Sequence, residues 1–368
     1  LFSLLAFTML ASCTVGPDYE RPQFYPDAEV AKNLKLEQAE ASPVGQDWYK
    51  QFNDPALNRL IERAWAASPN VRIAVHKLRE ARYGLLRSNV QSFPMLDINA
   101  GYNYDRSSRD IGFSIDRDYY QLGMDASWEL DIWGGNRRAA EASRALFEAA
   151  GANLDNVRLV MAAEVANNYI SLRTAQEQLR VARENLKLQQ EIYQLVQQKY
   201  DVGLTDFIAL NQAQYAVEST KTLIPQLESE IEAYKNAVAV LLGVLPDDLA
   251  GTLDNTADNL VRRRLSYNLK QLYRLRVDVI RNRPDVRLAE QNLIAQNAAV
   301  GEAVANLYPD VSISGFVGWQ SGKIAGLING DHSTYSYAPA LKLPFFHWNQ
   351  LMNTVNEQKE VKEQYVLS

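Results

Sequence analysis

The chain has 368 residues, 47% of them hydrophobic, and a formal net charge of −6. That length is ample for a large core or several layers, and the acidic balance argues against nucleic acid as a partner. One cysteine, Cys13, cannot form an internal disulfide, and three distant histidines (His76, His332, His347) support no metal site. No G-x-S-x-G elbow or glycine-rich phosphate loop occurs, so no enzyme is expected.

The opening stretch 1–10 is mostly apolar but too short for a bilayer-spanning helix, which needs about 20 residues. It fits the apolar core of a secretory signal whose charged start is missing. Leu10, Ala11 and Ser12 lead directly to Cys13, resembling a bacterial lipoprotein cleavage box, with the lipid to be carried by Cys13. The other reading is an ordinary signal peptide with an incidental cysteine. Thr14, rather than Asp, after the cysteine favours the outer membrane. Beyond the signal no run of 18 apolar residues exists, so any membrane crossing has to be a β-barrel.

The chain then contains itself twice. Residues 68–104 align without a gap with 283–319 at an offset of 215, and 128–136 align with 341–349 at an offset of 213. Each unit reads helix, strand, loop, strand, helix. In the first, 96–105 and 120–133 alternate strictly between apolar and polar residues, with a long polar loop between them. Asp125, Glu129 and Asp131 share the polar face and read as solvated lumen-facing acids. In the second, 311–319 and 335–343 repeat the design around the loop 320–334. Alternation alone fits a soluble sandwich as well as a barrel. The aromatics Trp128, Trp133, Trp319, Phe345 and Phe346 fit a membrane-interface girdle. Four strands cannot close a barrel, since the smallest bacterial ones have about eight, so closure requires other copies.

Between the repeats, 136–200 carries no proline and one glycine, Gly151, which predicts a helix of roughly 97 Å. A heptad seam runs from Leu154 through Met161, Val165, Leu172, Leu179 and Leu186 to Tyr200. Gly203 suits a left-handed cap, and Thr205 or Asp206 can cap a second helix, Phe207 to Leu242, closed by Gly243. The pair is expected as a long hairpin with a tight tip.

The lipobox, Gly16-Pro17-Asp18-Tyr19-Glu20-Arg21-Pro22, Trp128-Glu129-Leu130-Asp131-Ile132-Trp133-Gly134, the tip Tyr200-Asp201-Val202-Gly203-Leu204-Thr205 and Arg283-Pro284-Asp285-Val286 resemble the TolC-like outer-membrane factors, lipoprotein branch. The resemblance implies an α+β membrane protein. Three protomers would give four strands each to a twelve-stranded outer-membrane barrel, continued by an α-helical coiled-coil periplasmic tunnel.

It further implies the outer-membrane duct of a tripartite efflux pump for drugs and small molecules, partnered by a periplasmic adaptor and a proton-driven inner-membrane transporter. Val202, Gly203, Leu204 and Thr205 are then the adaptor-docking tip. No cofactor is implied beyond a covalent lipid on Cys13. The segments expected are a partial signal peptide (1–12), an N-terminal periplasmic and equatorial segment (13–68), a first repeat (69–252), an equatorial linker (253–282) and an incomplete second repeat (283–368). Within the linker, Arg262, Arg263 and Arg264 read as a solvated face or a partner contact. The family's second long hairpin is missing after 368, so the chain is expected to be a piece of a longer reading frame. The remaining alternatives are a type I secretion channel, or a lipid-anchored periplasmic coiled-coil scaffold without a pore.

Overall fold

The computed structural model describes residues 14–21, 48–106, 116–254 and 282–368. Cys13, the signal stretch, the centre of the first strand–strand loop and the arginines 262–264 lie outside the described residues.

The described α-helices and strands, in chain order, are α1 (Pro55–Ala67), α2 (Pro69–Val90), β1 (Met95–Arg106), β2 (Asp116–Leu130), α3 (Gly135–Asp201), α4 (Phe207–Leu242), the single turn α5 (Ala250–Leu253), α6 (Pro284–Ala305), β3 (Asp310–Ser321), β4 (Ser333–Lys342) and α7 (Trp348–Leu367). The internal offsets reappear in their bounds. Both 22-residue helices before the hairpins start at a proline, Pro69 and Pro284, 215 positions apart. β1 and β3 start 215 apart, and α3 and α7 start 213 apart. Proline suits a helix's first turn because its missing N–H would have no partner there.

The chain divides into two compact units. The first holds the sheet, residues 77–152 and 285–368, and the described segment 14–21. Its four strands form an antiparallel meander in the order β1-β2-β3-β4. Register is set by the alternation: Ile98 pairs with Met124, Met124 with Val317, and Val317 with Tyr335, all on the apolar face. A one-residue slip would turn every one of these side chains to the other face. The helical part of this unit packs on small residues, Ala145 and Ala149 of α3 and Ala295, Ala298 and Gly301 of α6.

The second unit holds 48–76 and the described residues from 153 to 284. The seam on α3 is observed: Leu154, Met161, Val165, Leu172, Ala175 and Ala182 are buried, Leu179 and Leu186 are half-buried, and Tyr200 at its end is exposed. On α4, Leu210, Val217, Ile224, Ile231 and Val238 recur every seven residues and are buried or half-buried. Arg183 of α3 pairs with Glu228 of α4 at 2.7 Å. Pro225 lies inside α4, exposed.

The N-terminal segment, expected as periplasmic and equatorial, contains the helix α1. Asp54 caps it, accepting the Ala56 and Leu57 N–H groups at 2.8 and 3.1 Å, and Leu57, Leu60, Ile61 and Ala64 are buried. The second Asp54 oxygen accepts the Tyr169 hydroxyl at 2.9 Å. The Arg173 guanidinium lies 4.8 Å over the Tyr169 ring and donates to Gln176 and to the Leu253 and Thr252 carbonyls. Burial pushes the Tyr169 hydroxyl up to about 12. This network joins α1, α3 and α5 through buried side chains, where each lost partner strands another polar group.

Candidate functional site

Three features carry functional information: the sheet faces, the hairpin tip and the segment that follows Cys13.

The apolar sheet face is bare. Leu96, Ile98, Tyr102, Met124, Val317, Tyr335, Tyr337 and Leu341 are all exposed, and among the described residues no layer covers them. Among the described residues, both edge strands, β1 and β4, have one open ladder of backbone groups. A soluble sandwich would bury such a face against a second sheet, and open edges of 12 and 10 residues invite pairing. The stretch from Tyr120 to Leu130 spans about 33 Å, or roughly 25 Å of height at a barrel strand's tilt of about 40°, the height of an outer-membrane apolar band.

The expected girdle residues fall into two groups. Trp128, Trp133, Phe345 and Phe346 lie at the end of the sheet where the helices join, whereas Trp319 lies near the opposite end, paired with Leu122 and Ser333. Tyr102 and Tyr120 belong to this far group, their rings 5.0 Å apart. At the helix end, the Trp128 indole donates to the Ser92 carbonyl at 3.1 Å and the Trp133 indole to the Pro309 carbonyl at 2.9 Å. Trp133 also stacks on Tyr308 at 4.7 Å. Phe345 and Phe346 meet edge to face and stand open to the surroundings.

On the other face, Asp125 lies directly opposite Asp97 and accepts a short hydrogen bond from the Asn99 amide. Two facing carboxylates are tolerable only where water screens them. Glu129 is exposed beside Ser312. Phe316 is the exception on this polar face, its ring lying over Gly123 and Gly318, where an added Cβ would sit 2.5 and 2.8 Å from it.

Asp131 does not belong with these acids. β2 ends at Leu130, and the Asp131 carboxylate accepts the Asn136 and Arg137 N–H groups at 3.1 and 3.0 Å and the Arg137 guanidinium at 3.2 Å. It satisfies the first N–H groups of α3 and its dipole, a demand that ends the alternation.

The hairpin tip is a Schellman turn. The Leu204 N–H bonds the Lys199 carbonyl at 2.7 Å, the Gly203 N–H bonds the Tyr200 carbonyl at 2.9 Å, and Gly203 sits at φ +73°. Asp206 then caps α4 through the Ala209 N–H. The turn points Val202 and Leu204 outward, the latter 77% exposed, while Thr205 is half-buried. Phe207 and Ile208, which the motif did not single out, are also exposed and enlarge the apolar knob.

Residues 14–21 are strapped into the first unit. The Val15 N–H bonds the Trp133 carbonyl at 3.0 Å. Arg138, 4% exposed, donates to the Val15 and Gly16 carbonyls, to Asp18 at 2.8 Å and to Glu141 at 2.8 Å. Burial works against the Arg138 charge, but Asp18 and Glu141 outweigh it and raise its pKa. Asn297, fully buried, donates to the Pro17 carbonyl at 2.9 Å. Gly16 (φ +89°) approaches Gly301 so closely that a Cβ would meet the Gly301 Cα at 2.4 Å. Farther on, Glu290 accepts from Tyr19 at 3.4 Å and from Arg21 at 2.5 Å. The Gly-Pro-Asp-Tyr-Glu-Arg motif therefore acts as a fastening that locks the strap to α3 and α6.

A family model described as "Outer membrane efflux protein" matches residues 60–244 and 275–366. The chain belongs to the outer membrane efflux protein family. It is 28% identical over 356 residues to the "Probable outer membrane lipoprotein SilC" of Salmonella typhimurium, covering 94% of this chain and 74% of the relative. To the "Cation efflux system protein CusC" of Escherichia coli (strain K12) it is 27% identical over 342 residues, 92% of this chain and 72% of the relative. The solved structure of the outer-membrane channel OprN superposes with a TM-score of 0.81 at 31% identity, over 96% of this chain and 78% of OprN. The protein is thus an efflux component of the outer membrane, from a family of channels and not of catalysts.

Proposed function

We propose that three copies of this chain close a twelve-stranded outer-membrane barrel, continued into the periplasm by the long helices as a passive export duct. The observation that supports this most directly is the four-stranded meander with both edges open and its apolar face bare. Twelve strands remove every open edge, and lipid covers the apolar face. Asp97, Asp125 and Glu129 then line the wet bore and set its charge, so selectivity comes from the lumen and not from a pocket.

In this reading Cys13 carries a lipid in the inner leaflet, and Val202, Gly203, Leu204 and Thr205 form the tip that docks a periplasmic adaptor. Energy comes from a proton-driven transporter of the inner membrane, and the cargo is drugs or other small molecules. Full-length protein purified in detergent tests the reading: a trimer that conducts ions across a planar bilayer is expected. A monomer that stays soluble without detergent after loss of its lipid would replace the duct with a periplasmic scaffold.

A further inference from the structure

An apolar cleft of about 450 Å³ opens where β3 begins and β4 ends, lined by Leu307, Tyr308, Pro309, Leu343, Phe345 and Trp348. Pro309 and Leu343 continue the alternation of Val311 and Leu341, so the cleft opens from the apolar side of the sheet. Its walls are rings and aliphatic chains that offer grip to an apolar ligand and little hydrogen bonding to a polar one. Phe345 and Trp348 nevertheless remain largely exposed.

The strap brings the chain to this place. The Thr14 side chain and Cα lie against Gly134, where an added Cβ would meet them at 2.8 and 3.0 Å. The next residue is tied by its N–H to the Trp133 carbonyl. The Trp133 ring stacks on Tyr308, a wall of the cleft, and its indole N–H bonds the Pro309 carbonyl, another wall. Arg138, Asn297 and the Gly16–Gly301 contact prevent the strap from sliding. Thr14 directly follows Cys13 in the chain, and its contact with Gly134 leads through the Trp133–Tyr308 ring pair to the wall of the cleft.

We infer that an acyl chain of the Cys13 lipid lies in this cleft, so that the anchor packs against the foot of the sheet and is not free in the leaflet. The inference rests on the reading of Cys13 as lipidated and of the sheet as membrane-inserted. Seated here, it would tie the strap, the start of α3 and the β3–β4 foot into one unit at the membrane interface.

Photo-crosslinking of the full-length lipidated protein in its own membrane tests this. The photoreactive residue p-benzoylphenylalanine replaces Phe345 or Trp348 inside the cleft, or Phe346, outside its walls and 93% exposed, as the control. After irradiation and proteolysis, mass spectrometry is expected to find the reporter peptide joined to the acylated Cys13 peptide from positions 345 and 348. Position 346 should give phospholipid adducts alone. Filling the cleft with Leu343→Trp should remove the Cys13 adduct from position 348.

Phospholipid adducts at all three positions, with an acylated Cys13 peptide recovered free, would overturn the inference and leave the channel reading intact. An unlipidated Cys13 peptide would overturn the inference together with the lipidation reading.

Discussion

Met124→Arg separates a membrane-facing sheet from a soluble one. Met124 stands four residues from Tyr120 and four from Trp128, about 13 Å each way along β2, which places it midway between the two aromatic groups. Its neighbours across the ladder are Ile98 and Val317, both apolar and exposed. An arginine at the midplane of a lipid-facing barrel strand costs about 2–4 kcal/mol per copy, roughly 30- to 900-fold in the folding equilibrium. The same arginine at Ser127, on the polar face, should stay within about 0.5 kcal/mol. At Leu130, near the interface, the cost should fall to about 0–1 kcal/mol. Guanidinium unfolding in phospholipid vesicles, followed by tryptophan fluorescence, measures all three. Equal costs at 124 and 127, or no cost at 124, would refute both the face assignment and the membrane reading.

Arg138→Ala should free the strap, destabilising the first unit by about 2 kcal/mol because the Val15 and Gly16 carbonyls and the Asp18 carboxylate lose the one buried donor they share; faster proteolysis within 14–21 is the readout. Gly203→Ala should cost about 1 kcal/mol through its positive φ alone, since a Cβ there meets nothing within 4 Å. Leu204→Asp, on an exposed position, should leave thermal stability unchanged while weakening capture of the cognate adaptor at least about tenfold. Asp54→Ala should cost about 2 kcal/mol, losing a helix cap and the Tyr169 partner together. Tyr169 holds its proton more tightly when folded, so the folded state binds more protons between its ordinary value of 10 and about 12. Stability from this group is complete below pH 10 and declines as pH rises toward 12, and Tyr169→Phe should remove that part of the slope in urea titrations.

Local signals were legible where neighbouring residues decide the outcome. The helix from Phe207 to Leu242 was readable to the residue, because Asp206 and Gly243 are caps whose chemistry is complete within a turn. The strands were readable from alternation, and their ends were not: whether Asp131 continues β2 depends on the helix behind it. The helix α1 had its start signal in Asp54-Pro55 and its apolar spacing in Leu57, Leu60, Ile61 and Ala64, but lay in a stretch read as one periplasmic and equatorial segment. The strap was visible only as a motif with no evident role, because its partners Arg138, Glu290, Asn297 and Gly301 are more than 100 positions away. No local pattern encodes such contacts. Phe207 and Ile208 escaped notice for the opposite reason: at the start of a helix they pass as ordinary apolar positions until the fold exposes them.

The most direct measurement is the mass of the detergent-purified full-length assembly together with its conductance in a planar bilayer. Three protomers and a steady ohmic or gated current are predicted, as closure of twelve strands from four per chain requires. A stable monomer, or an assembly that passes no current under any applied voltage or adaptor complement, would contradict the duct.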